Sequence, residues 1–230
     1  MEKRLDAVKS HFDGEADIFD SHVMKAVPNY VQMLDALISN MTLEKGAVFS
    51  AIDVGCGTGT LAYLLKKRFP NAEIRCVDFA PKMLEAAKHK LKGLNGISFE
   101  QADISDYSFS ENIDAVVSSL ALHHLETDED KKGFQEKSYK ALNRGGLFMN
   151  ADIILASDKK RQQVCLEKWE EFNMQSMTDA QLEDRKHKYE TEDRPAVLMN
   201  EIDNLKAIGF KKVEIFWRYY NFAVYGGVKP

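Results

Sequence analysis

The chain has 230 residues, of which 44% are hydrophobic and 29% charged; this suits a single folded domain, or one core with an insertion, and excludes a disordered chain. Its 31 basic and 36 acidic residues give a formal net charge of −5, which does not favour coating nucleic acid by bulk charge. No apolar run approaches the ~20 residues of a membrane span, residues 1–6 lack the apolar core of a signal peptide, and three cysteines (Cys56, Cys76 and Cys165) at unrelated spacings exclude a disulfide framework and suit the reducing cytoplasm.

Residues 1–45 read as an N-terminal helical cap, with Tyr30, Leu34, Leu37 and Met41 at helical spacing. Residues 48–54 form the first strand candidate and end in a glycine turn. A helix follows over 60–69, with Leu61, Leu64, Leu65 and Arg68 in register. Residues 73–77 alternate and are rich in β-formers. Pro81 suits the first turn of the next helix, which carries Met83, Leu84, Ala87 and Leu91 and stops at Gly93. Residues 97–100 and 113–120 are further strands, 128–142 is a helix closed by Gly145 and Gly146, and 147–155 is the fifth strand. Residues 157–194 are an insertion dense in charge, with Cys165, Trp169 and Phe172 at helical spacing; they are expected to form a helical lid on the sheet's carboxyl rim. A last helix over 196–208 ends at Gly209. Residues 212–220 and 222–228 must pair as an antiparallel hairpin, because only Asn221 separates them.

Strands alternating with helices, some apolar on both faces as in Ala115-Val116-Val117, predict a single domain built on a doubly wound α/β sheet of mostly parallel strands with right-handed crossovers. Ligands of such sheets sit at the carboxyl ends of the strands.

The string Ala51-Ile52-Asp53-Val54-Gly55-Cys56-Gly57-Thr58-Gly59 places three glycines at alternate positions between a buried strand and a helix. Without Cβ atoms the backbone there turns tightly and meets a ligand at van der Waals distance. One glycine fits an ordinary strand–helix loop; three with a preceding acid favour a nucleotide. A dinucleotide fingerprint puts its third glycine three residues after the second, where this chain has Thr60. A phosphate loop is excluded too, because no Gly-Lys-Ser/Thr follows. Asp53 before the loop repels phosphate but suits an amino group, as in S-adenosyl-L-methionine, which has an ammonium and no phosphate. Asp78 ends the second strand, where its carboxylate suits both ribose hydroxyls. Asp103 ends the third, where it suits the adenine N6 amine. Each acid alone fits a helix N-cap or a turn; three at successive strand ends point to one ligand.

On these residues the chain resembles the class I S-adenosylmethionine-dependent methyltransferases over about residues 48–155, and the terminal hairpin extends the resemblance. It implies a seven-stranded sheet of order 3-2-1-4-5-7-6 with the seventh strand antiparallel, S-adenosyl-L-methionine as cofactor and S-adenosyl-L-homocysteine as product. It implies that Asp53 with Gly55, Cys56, Gly57 and Gly59 hold the methionine portion, Asp78 the ribose and Asp103 the adenine. Phe79 and Ile104 match positions that touch the adenine faces, and Ser119 and Leu120 lie beside the sulfonium. Met83 and Tyr30 complete the expected contact set, Tyr30 closing over the methionine moiety.

The two ends, Phe12-Asp13, Val27-Pro28-Asn29-Tyr30 and Tyr219-Tyr220-Asn221-Phe222, are similar to bacterial enzymes that move a carboxymethyl group from carboxy-S-adenosyl-L-methionine to a wobble uridine of tRNA. The glycine turn departs from that subgroup, with Gly57 in place of a serine. A carboxylated donor needs a cationic partner; Arg185, Lys186, Arg194 and Arg218 are available, and a solvated charged face is the plainer role for them.

Methyl transfer is an in-line displacement, so alignment supplies much of the catalysis, ~7–11 kcal/mol of barrier. His123 and His124 follow the fourth strand, close to the expected methyl position, and either is a candidate base, as is Asp152 near the end of the fifth strand. Packing roles compete with each assignment. The aromatic run Trp217, Tyr219, Tyr220, Phe222 and Tyr225 reads as hairpin core. No metal site is expected, since His123-His124 offers no three-ligand spacing. The expected function is methyl transfer to an oxygen, nitrogen or carbon of a small-molecule acceptor. The tRNA carboxymethyl transfer and a non-catalytic S-adenosylmethionine-binding protein are the alternatives, an NAD-dependent oxidoreductase is disfavoured by Gly59, and a homodimer is left open.

Overall fold

A computed structural model describes residue 8 and residues 11–14, 18–110 and 112–230. Among these residues the strands are β1 (Ser50–Val54), β2 (Glu73–Asp78), β3 (Ile97–Gln101), β4 (Ile113–Ser119), β5 (Leu142–Leu155), β6 (Ala196–Val197), β7 (Lys211–Tyr219) and β8 (Phe222–Val228). They lie in the order 3-2-1-4-5-8-7, with β6 paired to β5 beyond that path. The strands β1 to β5 pair in parallel, and β8 runs antiparallel between β5 and β7. This is the anticipated sheet; the two-residue β6 shifts the numbering of the hairpin strands by one.

The apolar strand sequences explain the layering. Successive side chains of a strand point to opposite faces. Ala51, Ala115, Val117 and Met149 therefore pack with Met33, Leu34 and Leu37 of helix α2 (Tyr30–Ser39) and Leu61 and Leu65 of α3 (Thr60–Arg68). Their neighbours Ile52, Val116 and Phe148 pack with Phe134 of α5 (Asp128–Ala141) and Ile202 and Leu205 of α8 (Leu198–Ile208) on the other face. Helix α4 (Pro81–Lys90) links β2 to β3, and α1 (Phe19–Ala26), which the periodicity did not reveal, precedes α2. Within the expected N-terminal cap, residues 1–7, 9, 10 and 15–17 lie outside the described residues.

Three boundaries differ from the sequence reading. Met41 is buried but lies beyond the end of α2. Leu142 already pairs with Ile113, and the β4–β5 register then jumps to Ala115 opposite Leu147. Gly145 and Gly146 thus sit in an outward bulge of one strand, where the Gly145 amide donates to the Lys229 carbonyl (2.7 Å) and the Lys229 amide to the Gly146 carbonyl (2.9 Å). Ala196 and Val197 extend along Ile154 and Leu155 instead of starting a helix.

Residues within 157–194 fold as α6 (Lys159–Asn173) and α7 (Asp179–Glu192). Both start on side-chain caps, Asp158 accepting from the Arg161 amide and Thr178 from the Gln181 amide. Trp169 of α6 is buried and its indole donates to the Ala26 carbonyl at 2.8 Å, tying the insertion to α1. The hairpin closes through Tyr220-Asn221, with Tyr220 at φ +47° and the Asn221 carbonyl accepting from the Ile154 amide at 2.8 Å. Among the described residues no helix is long and apolar enough to cross a membrane.

Candidate functional site

The glycine turn is shaped by two close approaches. Gly55 has φ +67°, and a Cβ there would overlap the Ala121 Cβ, so glycine lets the loop after β1 touch the loop after β4. Gly59, at φ +80°, caps α3, and a Cβ there would lie 2.9 Å from Leu91 Cδ1 and 3.2 Å from Ala87 Cβ. Its role is to let α3 approach α4; it does not line the adjoining cavity. The turn is also tied to α1: Lys90 Nζ meets Asp20 Oδ2 at 2.6 Å, Thr58 Oγ1 at 2.8 Å and Thr60 Oγ1 at 2.7 Å.

Above the carboxyl ends of β1 to β4 lies a cavity of about 470 Å³. Asp53 is buried at its floor. One carboxylate oxygen accepts from the Ala62 amide at 3.1 Å, and the other is buried without a hydrogen-bond partner among the described residues. Burial lifts its pKa to about 7. Asp78 accepts from the Gly57 amide (2.8 Å) and the Ala80 amide (2.9 Å), and burial lifts it to about 6. Asp103 also borders the cavity, with one oxygen engaged by the amide and hydroxyl of Ser105, both at 2.8 Å. The turn-acid geometry is thus present, but on the cavity wall.

The walls include Gly55, Cys56 and Gly57 on the turn side, and Phe79, Met83 and Ile104 at the β2–β3 end. Tyr30, Ser119 and Leu120 close the β4 side, with the Tyr30 hydroxyl pushed above its ordinary pKa by burial and by the Asp20 and Asp53 carboxylates. Sequence reading did not single out Phe19, Asp106, Glu126 or Asp130 as lining residues. Phe12 appeared only in an end motif; its ring contacts Phe79 (6.3 Å between centroids) and His124 (5.4 Å) edge-on. The cavity is bordered by six carboxylates and, among the described residues, by no lysine or arginine. Such a surface favours a cationic ligand and opposes a pyrophosphate. The unpartnered Asp53 oxygen suits an ammonium, which fits S-adenosyl-L-methionine.

A second, smaller compartment of about 60 Å³ shares Phe12, Phe19, Leu120 and His124 with the first. His123 and His124 share a short 3₁₀ turn after β4. His123 and Asp152 stand behind the wall of the larger cavity. The His123 ring Nδ1 meets Asp152 Oδ1 at 2.5 Å, and its amide donates to Asp152 Oδ2 at 3.1 Å. Burial disfavours the His123 cation, but the Asp152 and Asp193 carboxylates outweigh it and lift the pKa to about 10. His124 goes the other way: burial and the His123 charge depress it to about 3. Asp152 is braced in turn by Asn150, whose amide also meets the Tyr225 hydroxyl at 2.9 Å; that hydroxyl donates to Glu201 at 2.9 Å. Tyr225 and Phe222 are core residues, whereas Tyr219 is exposed.

Of the four cations weighed for a donor carboxylate, Arg185 borders the smaller compartment. Lys186 instead faces Glu170 (3.5 Å) and Glu183 (3.4 Å), Arg194 faces Glu126 (3.7 Å), and Arg218 donates to the Tyr220 carbonyl (3.1 Å).

Residues 51–146 match the methyltransferase domain family. Two full-length relatives are carboxy-S-adenosyl-L-methionine synthases: one from a Nitratiruptor species is 27% identical, covering 100% of this chain and 95% of its own, and one from Campylobacter lari is 26% identical, covering 93% and 92%. They are named as synthases of the carboxylated donor and not as transferases to tRNA, which corrects the reading of the end motifs. Among solved structures, the DhpI-SAM-HEP complex superposes with a TM-score of 0.66 at 16% identity, covering 96% of each chain. Human N-acetylserotonin methyltransferase in complex with SAM gives 0.65 at 19% identity, covering 94% of this chain and 56% of that one.

Proposed function

From a chain with the class I S-adenosylmethionine-dependent methyltransferase fold, we propose that it binds S-adenosyl-L-methionine in the larger cavity and transfers the methyl group to a small acceptor placed from the smaller one. The observation that carries this is the acid-lined, lysine- and arginine-free cavity under a three-glycine turn. When bound, S-adenosyl-L-methionine supplies a methyl group already activated by its sulfonium. The protein holds and aligns it. Asp53 receives the ammonium, Asp78 the ribose hydroxyls and Asp103 the adenine amine, with Phe79, Met83 and Ile104 against the base. Gly55, Cys56 and Gly57 allow the close approach, while Tyr30, Ser119 and Leu120 exclude water beside the sulfur. His124, common to both compartments, faces the acceptor; His123 and Asp152 hold the turn that presents it.

A second reading has specific support. The relatives' printed names give a carboxylated S-adenosylmethionine as their product, and Arg185 borders the smaller compartment, where a donor's extra carboxylate would meet a cation. Mass spectrometry of the ligand that co-purifies with the protein separates the two. The mass of S-adenosylmethionine or S-adenosylhomocysteine supports methyl transfer, and a mass heavier by a carboxylate supports the second reading. Calorimetric titration tests both: uptake of NAD with no response to S-adenosylmethionine overturns the cavity assignment itself.

A further inference from the structure

We propose that His123, His124 and Asp193 form a site for one divalent transition metal ion, best suited to zinc, at the junction of the two compartments, and that the ion binds the acceptor's hydroxyl or thiol. The role toward the acceptor rests on the methyl-transfer reading above; the metal site does not.

The donor spacing is the main ground. Asp193 Oδ1 lies 3.4 Å from His123 Nε2 and 3.5 Å from His124 Nδ1, and the three donor atoms fall within 4.8 Å of one another. Those separations are long for a direct hydrogen bond. Zinc held at ~2.0–2.2 Å by nitrogen and oxygen donors in a tetrahedron sets its donors about 3.3 Å apart. Two of the three edges are already near that length.

The surroundings are those of a ligand set. A metal-bound histidine gives its other ring nitrogen to a carboxylate or a main-chain carbonyl, which fixes the ring and raises its basicity. His123 Nδ1 is held by Asp152 at 2.5 Å. The rings of the two histidines stand 4.1 Å apart on one 3₁₀ turn, and the His123 carbonyl accepts from the Arg194 amide at 2.8 Å, which clamps the Asp193 segment to that turn. The side chains of all three residues are 5–12% exposed. With neutral imidazoles, Asp152 and Asp193 leave a charge of about −2 for a divalent ion to balance.

Three protein ligands leave zinc one open position. An acceptor hydroxyl or thiol bound there releases its proton to solvent more readily. Its lone pair then forms the new bond to the methyl carbon as the carbon–sulfur bond breaks, and that bonding pair stays on sulfur, leaving a neutral thioether.

The test uses the untagged full chain. After zinc reconstitution and desalting, about one zinc per chain is expected by elemental analysis, and cobalt in its place should give the strong visible absorption of a tetrahedral site. Asp193→Ala and His124→Ala should each weaken zinc binding by about tenfold or more, with S-adenosylmethionine binding retained by calorimetry. No stoichiometric uptake of zinc, cobalt, iron or manganese by a chain that still binds S-adenosylmethionine overturns the metal site and leaves the cavity assignment intact. Zinc uptake that both variants retain also overturns it. Zinc bound at these residues by a chain that ignores S-adenosylmethionine supports the site and overturns its role toward the acceptor.

Discussion

The two compartments that meet at His124 are built in opposite ways. The larger draws its floor from the ends of β1, β2 and β3, which follow one another along the chain, and each end carries one acid. The smaller gathers His11, His22, His123, Arg185 and Asp193 from widely separated stretches. The first is a repeated local pattern; the second exists only once α1, the 3₁₀ turn and α7 have packed together. The chemistry follows the same division. A scaffold-borne cradle suits a fixed ligand, and an assembled pocket suits a function that varies between proteins of one fold.

The division predicts that the two sides can be damaged separately. The largest effect is expected for His124→Ala, which should lower turnover by ~10²–10⁴-fold, as for loss of a group handling the acceptor's proton or charge, while calorimetry finds S-adenosylmethionine still bound. Equal losses of binding and turnover would merge the two sides. Asp78→Ala should do the reverse. Removing a charged acceptor of hydrogen bonds costs ~1.5–3 kcal/mol, read as a ~10–150-fold weaker cofactor Kd with native circular dichroism. An unchanged Kd would remove Asp78 from the ribose.

The third prediction concerns pH. Asp53 and Asp78 have folded pKa values of about 7 and about 6, raised by burial from 3.8. Groups raised in this way contribute stability that is fully present below the ordinary value of 3.8 and is lost as pH rises through 6 to 7. The ammonium needs Asp53 ionised, and two donating ribose hydroxyls need Asp78 as a carboxylate, so S-adenosylmethionine affinity should tighten as pH rises from 5 to 7, by on the order of tenfold per unit for each group at most. Calorimetry across that range checks it, and a flat profile contradicts it. The smallest effect is expected for Trp169→Phe. Leaving the buried Ala26 carbonyl without its indole donor should cost ~1–3 kcal/mol, which for a chain of this size lowers Tm by a few degrees. A thermal scan without change would detach the insertion from α1.

The amino-acid sequence by itself determined the doubly wound sheet and the acids at its first strand ends, and the family resemblance supplied the strand order. Short apolar runs, helices between most of the strands and an acid at or near the ends of the first three strands are all short-range signals, and they survive in a linear string. Gly59 shows where that logic falls short: its place in the glycine motif suggested a ligand contact, whereas its φ and the nearness of Leu91 assign it to helix packing. Only the tertiary structure decided what stands beside the histidines. Asp193 follows a helix with one buried residue, Leu182, and nothing in its local sequence announces it. Its approach to His123 is set by the packing of α7 and the Arg194–His123 main-chain bond. Contacts between residues far apart in the chain carry no periodic trace, because they are fixed by how whole elements dock and not by the spacing within any one of them.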